Sequence, residues 1–262
     1  MKDDFTPISS LPIIGPILRK FDQDVGKHGF QEAFKIILDE RSIKYIGDID
    51  EETAKVLKHD KVLLIVNHDN DFEMVPLYAL LPSRKDTYLI GAAHITGIGP
   101  NTAEYILTIY LNQNTSHKEE KMSYRLARHL NLFPKLLDDE AHKINIETIN
   151  QARQKINQGG LVMLFPSGVG KKGAKWKNGV GILVHSLDRD AYIVFANVKG
   201  TTPHDAFRLI PHVNKFFPEF KISFSKPKKV GQLINEQDPR IITKDLENQY
   251  KIWMSTLTTA PK

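Results

Sequence analysis

Apolar and polar positions along the chain alternate between two rhythms. Phe30, Phe34, Ile37 and Leu38 recur at helical spacing, which predicts an amphipathic helix over about 29–39. A short polar helix is expected near 51–58. Val62-Leu63-Leu64-Ile65-Val66 then runs without a polar break, and its β-branched residues fit a strand at 61–66 buried on both faces. It ends in the polar cluster Asn67-His68-Asp69-Asn70-Asp71-Phe72-Glu73, after which Met74–Leu81 resumes as an apolar helical stretch. Further strands are expected at Thr87–Ala92, Leu161–Phe165, Tyr192–Val198 and about Lys221–Ser225. Helices are expected at Thr102–Leu111, about 143–157, Val180–Leu187 and within 240–257. Residues 112–124 read as a polar loop, Tyr124–Leu130 as a helical turn or two, and the stretch after Val198 as a looser region.

Strands separated by helices predict an α/β fold: one domain over 1–262, with a mainly parallel, mixed sheet covered by helices on both faces. Within it, 1–60 form a helical or strap-like N-terminal segment, 61–200 the core, and 201–262 complete the sheet and its final helix. Residues 1–20 carry Pro7, Pro12, Gly15 and Pro16 among Leu11, Ile13, Ile14, Ile17 and Leu18. They read as a strap over the body or as an apolar lip that touches a membrane or an acyl chain.

Composition narrows the chemistry. The chain of 262 residues has no cysteine, which excludes disulfides and thiolate chemistry. No apolar run approaches the roughly 20 residues of a membrane span, and no signal peptide is evident, so a cytoplasmic protein is expected. A net charge of +5 favours anionic partners, although 31 acidic residues are interspersed with the 36 basic ones. The basic residues are not interleaved with aromatics, which speaks against nucleic acid. No metal-ligand spacing is apparent among the ten histidines, and none of His94, His117, His129, His142 and His185 is assigned a role.

The polar cluster has two readings. His68 is either a polar loop residue or a base. Asn70-x-x-Glu73 has capping-box spacing, and Asp69 and Asp71 suit a helix start. Alternatively, a histidine at a strand end and a carboxylate one turn later meet through a hydrogen bond that fixes the imidazole tautomer and stabilises the imidazolium. A second special stretch is Pro166-Ser167-Gly168-Val169-Gly170-Lys171-Lys172-Gly173. Its G-x-G-x-x-G pattern matches a dinucleotide fingerprint, but the third glycine opens a basic stretch ending in Gly179 instead of a packed helix. A phosphate-loop reading fails because Phe165 stands where the first glycine belongs. What remains is a glycine-rich turn whose N–H groups and lysines suit a phosphate.

Taken together, Asn67-His68-x4-Glu73, Phe165-Pro166-Ser167-Gly168, Lys177-Asn178-Gly179-Val180 and Tyr192–Val198 resemble, in order and spacing, four blocks of the glycerol-3-phosphate and lysophosphatidate acyltransferase family. The Pro-Ser-Gly form is similar to the soluble, plastid-type members. Glu73 stands where Asp is commoner, Ser167 replaces a Glu, and no Arg follows it closely. The resemblance implies transfer of a fatty acyl group from acyl-coenzyme A or acyl carrier protein, as co-substrate, to a hydroxyl of glycerol-3-phosphate or a lysophospholipid. His68 would be the general base and Glu73 its orienting carboxylate. Ser167, Gly168, Val169 and Gly170 would hold substrate and oxyanion, and Lys171, Lys172 and Arg125 the phosphate. No cofactor or metal is implied. Peripheral contact with an anionic membrane is expected. A sugar or lipid A-type acceptor, or an inactive lipid-binding protein of the same fold, are the alternatives.

Overall fold

The computed structural model describes residues 6–110, 129–132, 136–168, 173–210, 212–235 and 238–259. Among the described residues, eight strands form one sheet: β1 (Tyr45–Asp48), β2 (Val62–Val66), β3 (Thr87–Ala92), β4 (Ile106–Ile109), β5 (Leu161–Leu164), β6 (Tyr192–Lys199), β7 (Phe220–Phe224) and β8 (Lys228–Lys229). Their order is β1-β7-β6-β2-β5-β3-β4, with β8 paired to β6. The five strands from β6 to β4 run parallel, whereas β7 and β8 lie antiparallel to β6. The chain is therefore a single α/β domain with a mostly parallel, mixed sheet.

The uninterrupted apolar run of β2 follows from its two covered faces. Val62, Leu64 and Val66 pack into one core, with side chains of the helices Gly15–His28, Phe30–Glu40, Glu51–His59 and Met74–Leu80. Leu63 and Ile65 pack into the other, against Asp138–Asn157, Gly179–His185 and Pro239–Thr259. All five residues of β2 are fully buried, as the period of two requires of a central parallel strand. On the first face an aromatic cluster fastens the N-terminal helix pair to the sheet. Phe30 stacks on Tyr105 at 4.9 Å between ring centres, and Phe34 stacks on Tyr78 at 5.4 Å. Such pairs add about 1 kcal/mol each beyond the area they bury.

Two expectations need correction. Thr102–Leu111 is not a helix: only Pro100–Ala103 is helical, and Ile106–Ile109 forms the edge strand β4, parallel to Leu89–Ala92. Its two isoleucines and threonine are β-branched, and the open edge of β3 supplies the partner that local periodicity cannot reveal. The N-terminal strap is also shorter than 1–20. A helix begins at Gly15, with Pro16 in its first turn where a missing N–H does no harm. Ahead of it, Ile8 packs on the core, Ser9 Oγ donates to Gly97 O at 2.8 Å and Thr6 N–H to Asn131 O at 2.8 Å. The loop expected over 112–124 and nearly all of 124–130 lie outside the described residues. Among the described residues, no helix is long and apolar enough to cross a membrane.

Two helices on the second face touch at backbone distance. A Cβ at Gly181 would overlap the carbonyl oxygen of Pro239, and Gly181 N–H donates to Thr243 Oγ1 at 3.0 Å. Gly181→Ala should therefore push the C-terminal helix off the sheet and lower unfolding free energy by about 1–3 kcal/mol. Urea melts of the variant beside the wild type measure this, and coincident curves would refute the contact.

Candidate active site

Because β2, β5 and β6 are parallel neighbours, their C-terminal ends lie side by side, where α/β sheets assemble their sites. Asn67 fixes the first of these ends. Its side chain mimics a strand: Nδ2 donates to Val198 O at 3.1 Å and Oδ1 accepts from Val198 N–H at 2.8 Å. The pairing of β2 with β6 is thereby carried one residue past the strand, so that His68 leaves the sheet from a clamped position.

Glu73 is fully buried at the N-terminus of the helix Met74–Leu80. Its Oε1 accepts from the N–H groups of Asp69 (3.0 Å) and Asn70 (2.8 Å) and from the Thr201 hydroxyl (3.2 Å). Its Oε2 accepts from Asp71 N–H at 3.0 Å and lies 3.4 Å from His68 Nδ1. Successive backbone N–H groups thus form a nest around the carboxylate. Burial is the largest influence on Glu73 and opposes its charge. The His68 hydrogen bond, the charge of His68 and the backbone donors together outweigh it and hold the carboxyl below its ordinary 4.5. Its stabilising contribution is thus complete above that value and lost as the pH falls through the lower, folded one. The carboxylate collects the N–H groups of the bend ahead of the helix and faces the imidazole; the capping-box reading does not hold, since the helix starts only at Met74 and no side chain caps it.

The His68 ring, whose side chain is 12% exposed, stacks on Phe165 at 4.5 Å. Its outer nitrogen, Nε2, lies 3.5 Å from Asp71 Oδ1. Asp71 reaches that place through a backbone φ of 103°, an unfavourable conformation for a residue with a side chain. Strain of this kind costs on the order of 1–3 kcal/mol and persists where its surroundings impose it. Here the imposing groups are the Glu73 carboxylate, which takes the Asp71 N–H, and His68. Sequence reasoning took Asp71 for an ordinary helix-start acid, and nothing in the pattern betrays its φ.

Of the second stretch, Ser167 is buried and Gly168 turns the chain at φ 65°. Gly168 N–H donates to Phe165 O at 3.1 Å, closing the turn that sets Phe165 under the imidazole. Val169, Gly170, Lys171, Lys172 and Arg125 lie outside the described residues. Among the described residues no group of three or more His, Asp or Glu side chains is arranged to hold a metal ion.

The stretch after β6, expected to be loose, is instead braced. Gly200, at φ 93°, approaches Glu219 so closely that a Cβ would meet its carbonyl oxygen, and Gly200 O accepts from Arg208 Nη2 at 2.9 Å. Arg208 is 1% exposed, pairs with buried Asp205 at 2.8 Å, donates to Pro218 O and lies 4.1 Å from the Phe220 ring centre. Asp205 in turn accepts from Thr202 N–H and Oγ1. Removing one partner of such a pair leaves a buried charge uncompensated, at a cost of about 3–5 kcal/mol.

From His68 an apolar cavity of about 360 Å³ runs beneath the N-terminal helix pair. Gly168, Phe165 and Asp71 stand with His68 at its polar end, and Leu18, Phe21, Phe34, Leu89 and Ile98 are among its walls. Its volume lies in the range of small-molecule sites. His94 also lines it, and burial holds the His94 imidazole down to about 4, so that it is neutral at physiological pH.

No family model matches the sequence, and no curated protein matches it. The fold is similar to that of the 1-acyl-sn-glycerophosphate (LPA) acyltransferase PlsC from Thermotoga maritima. That likeness has a TM-score of 0.50 at 13% identity and covers 94% of this chain and 97% of that one. At such identity the similarity is one of architecture.

His94 makes stability depend on pH. Its folded value lies below the ordinary 6.5, so the unfolded chain binds the proton first, and stability present above pH 6.5 is lost as the pH falls toward 4. Between pH 7.5 and 5 this amounts to about 2 kcal/mol. Urea unfolding of wild type and His94→Gln at both pH values should show a drop shallower by about that amount in the variant. Parallel drops would refute a neutral, buried His94.

Proposed function

We propose that the protein is an O-acyltransferase that moves a fatty acyl group from a thioester, acyl-coenzyme A or acyl carrier protein, to a hydroxyl of glycerol-3-phosphate or a lysophospholipid. One observation carries this reading: an imidazole backed by a fully buried carboxylate opens onto an apolar cavity. A base of that kind activates a hydroxyl, and a cavity of that lining takes a hydrocarbon chain, gaining about 0.8 kcal/mol for each methylene it buries.

In this mechanism the acceptor hydroxyl displaces Asp71 from His68 Nε2. As its oxygen attacks the thioester carbonyl, the proton passes to Nε2, while Nδ1–H donates to Glu73, whose charge offsets that of the imidazolium. The carbonyl oxygen becomes an oxyanion stabilised by N–H groups of residues 167–170. Since Gly168 N–H is engaged with Phe165 O, the residues after it are the better donors. Collapse of the intermediate breaks the carbon–sulfur bond, and the departing thiolate takes the proton back from His68. Lys171, Lys172 and Arg125 bind phosphates of acceptor or donor. The fold likeness to PlsC and the sequence blocks favour a glycerolipid acceptor. The formal net charge of +5 favours peripheral docking on an anionic membrane at its cytoplasmic side.

Thiol release from acyl-coenzyme A and acyl carrier protein donors, with glycerol-3-phosphate and lysophosphatidate as acceptors, tests the reading. His68→Ala should lower acceptor-dependent kcat by about 10²–10⁴-fold. Release that survives His68→Ala sinks the general-base mechanism, and no release with any donor sinks the reading. Release that appears only with sugar or lipid A-type acceptors moves the acceptor class.

The cavity gives a second expectation. Ala92 is on its wall, so Ala92→Phe should shift preference toward shorter acyl chains without abolishing turnover. An unchanged chain-length profile would place the acyl chain elsewhere.

A further inference from the structure

Thr201 follows the end of β6, 128 residues from Glu73 in sequence. A hydroxyl has a single proton to give and lone pairs that accept. Asn70 Nδ2, which can only donate, fills the accepting side of Thr201 Oγ1 at 3.1 Å. The hydroxyl proton is then directed to Glu73 Oε1 at 3.2 Å. Among the described residues, the other donors to that carboxylate, the N–H groups of 69, 70 and 71 and the His68 ring, belong to the loop the carboxylate itself organises. Thr201 refers the carboxylate to the segment that follows β6. It is fixed on both sides: Gly200 is held by Arg208, and Thr202 is held by Asp205, which pairs with Arg208.

We propose that Thr201 is a positioning residue for His68, acting through Glu73, and that Asn70 sets the direction in which its hydroxyl donates. With Oε1 loaded by three donors, the carboxylate cannot rotate, and Oε2 stays aimed at Nδ1. The kinetic consequence rests on the acyl-transfer reading; the geometric one does not.

The experiment compares wild type with Thr201→Val, Thr201→Ser and Asn70→Asp, in thioester turnover and in proton NMR of the His68 Nδ1–H resonance, identified by its absence in His68→Ala. Valine keeps the shape and removes the hydroxyl. It should lower kcat by about 10-fold while KM stays within about twofold, and it should speed exchange of the Nδ1–H proton. Serine should restore both. Asn70→Asp cannot donate to Oγ1 and should behave like Thr201→Val. Melting temperatures are read alongside. The proposal is overturned if Thr201→Val keeps wild-type kcat and exchange, or if serine fails to rescue. It is also overturned if the losses appear only as a lowered melting temperature with kcat and KM altered alike. Absence of turnover in the wild type would defeat the acyl-transfer reading, and the exchange comparison would still decide the role of Thr201.

Discussion

Everything at the C-terminal edge of the sheet depends on keeping one carboxylate charged where water does not reach. An isolated buried carboxylate is costly enough that it would take up a proton. Glu73 is spared because five donors converge on it, and supplying those donors dictates the local structure. The chain from Asp69 to Asp71 bends into a nest, Asp71 accepts an unfavourable φ, and the helix Met74–Leu80 begins where the carboxylate ends. The Thr201 hydroxyl, from the segment after β6, completes the set. The geometry around His68 and the local fold are, in this sense, one hydrogen-bonding problem with one solution.

The surrounding architecture keeps that solution rigid. Three parallel strands deliver the polar cluster, the Phe165 turn and the Thr201 segment to the same edge, each from a strand whose residues are almost all buried. Asn67 locks two of the strand ends together, and the Asp205–Arg208 pair stiffens the return toward β7. A histidine on such a frame keeps its orientation.

Much of this was legible in the sequence, for physical reasons. The run Val62–Val66 is apolar because both its faces are covered, and that same fact marks where the chain must turn polar. The spacing from His68 to Glu73 is local, so one helical turn predicts their meeting. Thr201 was not legible, because its contact with Glu73 depends on β6 lying beside β2, a pairing across more than a hundred residues that periodicity does not encode; Arg208 was not, because it meets Gly200, Asp205 and Pro218 through a non-periodic loop. The strand Ile106–Ile109 was misread for the same cause, since an edge strand is defined by its neighbour. Asp71 was missed because a strained φ leaves no compositional trace outside glycine.

The cavity beneath His68 has a consequence for how such a protein can change. Phe21, Phe34, Ile37 and Leu89 line it and also belong to the main core that binds the N-terminal helix pair to the sheet. The walls that would measure a ligand are therefore the packing that holds the molecule together. Enlarging the cavity removes core contacts at about 24 cal/mol for each Å³ left empty, so a wider specificity must be drawn from a stability margin of only about 5–15 kcal/mol. Divergence of the binding profile is coupled to compensating gains elsewhere, and a filled cavity would itself act as a structural element of the fold.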